Sequence, residues 1–138
     1  MKQFIKLFIL FSIGGLIYYI IEIIWREYSH ISMFILGGLC FLLIGLINEF
    51  LTYMVPLWKQ QLISTGIVTI LEFNFGLILN IIFKLNIWDY SNLPFNILGQ
   101  VCLQFSIAWF FLSAMAIILD DYLRYWLFDE EKPHYILK

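Results

Sequence analysis

The sequence predicts an all-α membrane protein with four transmembrane helices, and three observations carry that prediction. The chain of 138 residues is 62% hydrophobic and only 13% charged. A soluble domain carries about 25% charged residues, so this chain lacks the means to coat a water-facing surface. Its mean hydropathy is +0.89. Four apolar stretches are each long enough to supply the roughly 20 residues a helix needs to cross the hydrocarbon core. Finally, Trp25, Trp58, Trp88 and Trp126 fall at the predicted edges of these stretches, where indole is favoured, and only Trp109 lies deep.

The four spans are residues 4–24, 31–55, 61–83 and 94–119, within one integral membrane domain over residues 1–138. The start Met1-Lys2-Gln3-Phe4-Ile5-Lys6 has the basic character of a signal peptide. Its apolar run is too long for a signal core and no small-x-small cleavage site follows, so it reads as a retained first span. The breaks are short and polar: Trp25 to His30, Pro56 to Gln60, and Lys84 to Leu93. Pro94 suits a helix start, because its missing N–H would have no partner there. Residues 120–138 mix Tyr122, Tyr125, Trp126 and Phe128 with charges, which predicts a short interfacial helix.

The basic residues orient the bundle. Lys2, Lys6, Lys59, Arg124, Lys132 and Lys138 fall on one side, and Arg26 and Lys84 on the other. This asymmetry predicts a multi-pass protein of the cell membrane with both termini cytoplasmic.

A shift of 62 positions aligns the sequence with itself without a gap. Tyr28-Ser29 falls on Tyr90-Ser91, Ile35-Leu36-Gly37 on Ile97-Leu98-Gly99, Cys40 on Cys102, Glu27 on Asp89 and Gly14 on Gly76. The pattern predicts two parallel two-helix repeats related by a pseudo-two-fold axis along the membrane normal. Phe34 and Gly38 correspond to Asn96 and Gln100, so the second copy is the more polar.

An ionisable residue in hydrocarbon costs several kcal/mol unless it is paired or hydrated. Glu72 lies near the middle of the third span, and Glu72, Gly76 and Asn80 recur every four residues on one helix face. Gly14, Tyr18, Glu22 and Arg26 have the same spacing in the first span, where Glu22 and Arg26 can pair. Asn96, Gly99, Gln100, Cys102 and Ser106 line the outer half of the fourth span. These positions predict a polar cavity in the outer half of the bundle, made by Glu72, Asn80, Asp89, Asn96 and Gln100 with Glu22, Arg26 and Ser106. An aromatic rim of Trp88, Tyr90, Trp25 and Tyr28 surrounds it. The plainer role for each polar group is to join helices, since interhelical hydrogen bonds are common and average only ~0.6 kcal/mol. Cys40 and Cys102 read as small packing residues.

Several function classes find no support. There is no GxxxxGK[ST] loop for ATP, and no HExxH, GxSxG or paired CxxC pattern. His30 and His134 lie on opposite predicted sides and share no metal. The net charge of -2 gives no sign of a nucleic-acid partner. No catalytic residue, cofactor or metal site is expected; an acid–base mechanism would have to use Glu22, Glu72 and Asp89, and no motif supports one.

Three segments together resemble a known bacterial family. They are Trp25-Arg26-x-Tyr28-Ser29-His30-x-Ser32-Met33-Phe34 with Gly37-Gly38-Leu39-Cys40, then Trp88-Asp89-Tyr90-Ser91-Asn92-Leu93-Pro94-Phe95-Asn96 with Gly99-Gln100-x-Cys102, and Leu119-Asp120-Asp121-Tyr122-x-Arg124-Tyr125. The chain resembles the family named Putative ABC-transporter type IV, the CmpB-type permease-like proteins, over nearly its whole length. The resemblance implies a transport permease. Four spans are few for an ABC permease and the loop Pro56 to Gln60 is short, so the resemblance also implies a homo-oligomer and a separate ATPase subunit. The expected function is therefore a permease-like transport component in contact with membrane lipid. A membrane-embedded enzyme or lipid-handling protein of the outer leaflet, and a small structural or accessory protein, are the alternatives.

Overall fold

The computed structural model describes residues 1–51 and 54–137. Residues 52–53, inside the predicted second span, and Lys138, used above for orientation, lie outside the described residues. Four helices among the described residues are long and apolar enough to cross a membrane. They are α1 (Lys2–Arg26), α2 (Ile31–Leu51), α3 (Leu57–Gly76), which runs on as a π-helix over Leu77–Ile82, and α4 (Leu103–Phe128).

Local chemistry sets the ends. The backbone at Glu27 takes the left-handed conformation with φ 68°, and its N–H donates to Ile23 O, closing α1. The His30 ring accepts the Ser32 amide at 3.1 Å and so caps the start of α2. Pro56 precedes α3, and its carbonyl accepts the amides of Lys59 and Gln60.

The fourth helix starts at Leu103 instead of Pro94. Asn96 captures the backbone before a helix can form: its Nδ2 donates to Leu93 O at 2.7 Å and its Oδ1 accepts the Gly99 amide at 2.9 Å. Phe95, Leu98 and Gly99 all have positive φ, which a right-handed helix does not admit. Two short strands result, β1 (Asn96–Ile97) and β2 (Val101–Cys102), paired antiparallel with Asn96 opposite Cys102. At its other end α4 continues unbroken to Phe128, so the first part of the predicted interfacial tail belongs to that helix. The 62-residue shift sets Ile31 on Leu93, but residues 93–102 are turn and hairpin where their counterparts are helix.

The helices pack as two hairpin pairs, α1 with α2 and α3 with α4, and α2 also touches α3 and α4. α2 is the central helix: 56% of its apolar window is buried, against 17–22% for the others. Its Met33, Leu36, Cys40 and Ile44 form the core with Val68, Ile117 and the loop residues Ile87 and Trp88.

Glycine makes the α1–α2 pair possible. A Cβ at Gly15 would sit 2.5 Å from the Phe34 carbonyl oxygen, and one at Gly38 would sit 2.8 Å from the Phe11 carbonyl oxygen. The two backbones meet at small residues, the usual device where helices associate in lipid. Replacing Gly15 by Ala is therefore expected to destabilise the protein by about 1–3 kcal/mol, because backbone must move. A Cβ at Gly66 meets nothing within 4 Å, so Gly66→Ala is expected to leave stability unharmed. Thermal unfolding of both variants in detergent checks this pair.

Candidate functional site

Buried polar side chains gather at both ends of the bundle. At the loop end they hold residues 83–102 down onto the helices. Gly76 leaves room for Gln100, whose Oε1 lies 2.5 Å from where a Cβ would be. Asn80, in the π-helical turn, donates to Gln100 Oε1 at 2.8 Å and accepts the Ile87 amide at 2.7 Å. A π turn offsets the helical ladder, and such turns recur at functional places. Gln100 Nε2 donates to Leu98 O, and the Trp88 indole donates to Gln100 O at 2.9 Å. Arg26 donates to Ile87 O at 3.2 Å and pairs with Glu22 at 2.7 Å.

The expected cavity residues are thus distributed over several places. Asn80, Gln100, Glu22 and Arg26 converge on the loop, and Asn96 shapes its turn. Asp89 is exposed. Its carboxylate accepts the Ser91 amide at 2.9 Å, which holds its pKa below the usual carboxylate value. Ser106 meets Thr69 at 3.1 Å and joins α4 to α3. Of the aromatic rim, Trp25 and Tyr28 are exposed, with the Arg26 guanidinium 4.7 Å from the Tyr28 ring centre. Trp88 is only 5% exposed and belongs to the core, because its indole N–H is needed to close the loop. Tyr90 is half-buried and stacks on Phe105 with ring centres 4.8 Å apart.

Glu72 is 3% exposed on α3 and interacts electrostatically with Glu22 of that network, and with Trp109, Tyr18 and Tyr90. The Tyr18 and Trp109 rings lie 5.7 Å apart. Ser64 and Gln60, eight and twelve residues before Glu72 on α3, are both fully buried. Gln60 Oε1, Ser64 Oγ and the Trp109 indole nitrogen have no well-aligned hydrogen-bond partner. Such groups in a native interior call for a specific explanation.

The cluster at the terminal end was missed as a site in the sequence. Gly45 leaves room for the Asp120 carboxylate. Arg124 Nε donates to Asp120 Oδ2 at 2.9 Å and Arg124 Nη1 to Glu49 Oε1 at 2.7 Å. Asn48 donates to Asp121 Oδ2 at 2.6 Å, and the Tyr135 hydroxyl donates to the same oxygen at 2.9 Å. Lys6 pairs with Glu130, and the Leu57 amide donates to Ile136 O at 2.7 Å. The chain after α4 is thereby strapped beneath the bundle. The signal is an i,i+4 Asp–Arg pair opposite a glycine, hidden because residues 120–138 read as an interfacial helix.

Removing Arg124 alone strands the Asp120 charge and is expected to cost about 3–5 kcal/mol, whereas joint replacement by Asp120→Leu and Arg124→Met recovers most of it; a double-mutant cycle of unfolding measures this. Asn80→Ala is expected to abolish hydrogen-exchange protection at the Ile87 amide. The Asp89 contact, by contrast, is present at neutral pH and is lost as pH falls through its lowered pKa, so the Ser91 amide is expected to lose protection in acid while Ile87 keeps it.

Cys40 and Cys102 are free and buried, and no group of His, Cys, Asp and Glu among the described residues could hold a metal. No curated protein and no solved structure matches the chain. One family profile does match, over residues 6–132. Nearly the whole chain is covered, and it belongs to the family described as Putative ABC-transporter type IV.

Proposed function

We propose that the chain is the membrane-embedded, permease-like component of a transport system and works with a separate ATPase. The observation that carries this reading is the set of buried polar side chains on α3, Gln60, Ser64 and Glu72, with Asn80 half-buried in the π-helical turn beyond Gly76. Polar atoms in a lipid-embedded interior are costly and mark substrate or ion pathways when they are kept. In this reading Glu72, Tyr18 and Trp109 face the transported molecule. Glu22, Arg26, Asn80 and Gln100 hold the loop that covers the outer end.

The family name supplies the ATPase half of the reading, since the sequence has no phosphate-binding loop of its own. Basic residues favour cytoplasmic termini in the cell membrane. The loop Pro56 to Gln60 is short, but the backbone bond from Leu57 to Ile136 sets the tail beside it. Loop and tail together offer a wider cytoplasmic surface for an ATPase than the loop alone. A purely structural role fits less well, because an unfilled apolar space of about 340 Å³ opens between α1 and α4.

In an uptake or growth assay that depends on this chain, Glu72→Gln is expected to reduce activity at least tenfold with the protein still inserted. Asp89→Asn is expected to weaken it less, since Asp89 lies on the exposed loop. Full activity in both variants would remove the reading.

A further inference from the structure

An apolar cavity of about 340 Å³ lies between α1 and α4. That volume is at the small end of the range for ligand pockets. Ile17 and Ile21 of α1 line one side, Leu112 and Met115 of α4 the other, and Cys40 and Val68 lie behind them. The four residues of α1 and α4 are also exposed, Met115 by 68%, so the space opens sideways between these helices. The packing explains the opening. α1 pairs with α2 and α4 with α3, and the α1–α4 seam has no extended contact to close it.

The position of the opening names its occupant. Ile17 and Ile21 lie in the 25-residue α1, and Leu112 and Met115 lie midway along the 26-residue α4. Both pairs are well inside helices that match the hydrocarbon thickness. At that depth the surrounding medium is lipid chain, and an apolar lining gives water too few partners to enter. Tyr18 and Trp109, which also line the space, both interact with Glu72 on α3.

We propose that the cavity between α1 and α4 is a binding site for one acyl chain of a membrane phospholipid, entered laterally from the bilayer. This goes beyond the transport reading and does not depend on Glu72 being functional. The site differs from ordinary lipid contact in being saturable and in being filled by a single chain.

The test uses the full chain in detergent micelles with a phosphatidylcholine carrying a diazirine in its acyl chain. Photolabelling is expected to concentrate on peptides holding residues 17–21 and 112–115. Excess unlabelled phosphatidylcholine is expected to reduce it at least fivefold. Ala116→Trp, which fills the cavity from α4, is expected to lower it similarly, and Ile118→Trp, outside the cavity, to leave it unchanged. Competition on the unaltered protein decides the matter even where Ala116→Trp fails to fold. Labelling spread evenly over all four helices and insensitive to competitor would overturn the proposal. So would absent labelling together with a dimer mass, which would assign the seam to a second copy of the chain.

Discussion

Gln100 and Asp120 can lie between helices only because a glycine faces each of them, Gly76 at one end of the bundle and Gly45 at the other. The hydrocarbon interior cannot hydrate such groups, so each must bring its own partners. Gln100 brings Asn80 and Trp88, and with them the loop. Asp120 brings Arg124, and through it Glu49. The two networks close the ends of a four-helix bundle whose middle combines apolar packing with the Thr69–Ser106 bond between α3 and α4. A larger residue at either glycine would expel the polar group and with it the segment it anchors.

The sequence disclosed much of this and concealed the rest for physical reasons. Number of spans, their order and the Glu22–Arg26 pair were legible, since hydropathy and four-residue spacing report them directly. The start of α4 was not. Pro94 is a sound helix opener, but Asn96 sits two residues on and turns the backbone with its own side chain. Apolar residues such as Phe95 and Leu98 gave no warning of left-handed backbone. Trp88 read as an interfacial anchor because composition cannot tell an indole at the membrane edge from one that closes a loop.

The polar cavity illustrates a different limit. Spacing placed Glu72, Asn80 and Gln100 at compatible depths, but depth does not decide whether such groups face one space or each other. Asn80 and Gln100 bond to one another and to loop backbone, which leaves Glu72 with aromatic neighbours. The open space is apolar and lies in the seam that the two helical pairs leave between α1 and α4. It could not be read from hydropathy, because a residue facing lipid and a residue facing an apolar cavity have the same composition.

The central claim is a bundle sealed by polar networks at both ends and open to lipid at its side. Spin labels at residues 17 and 115 in a reconstituted bilayer test it most directly, through relaxation by oxygen, which partitions into lipid, and by a water-soluble nickel chelate. The account predicts strong relaxation by oxygen and almost none by the chelate at both positions. Strong relaxation by the chelate would mean an aqueous path through the seam, and protection from both reagents would mean that protein covers it. Either result would contradict the account.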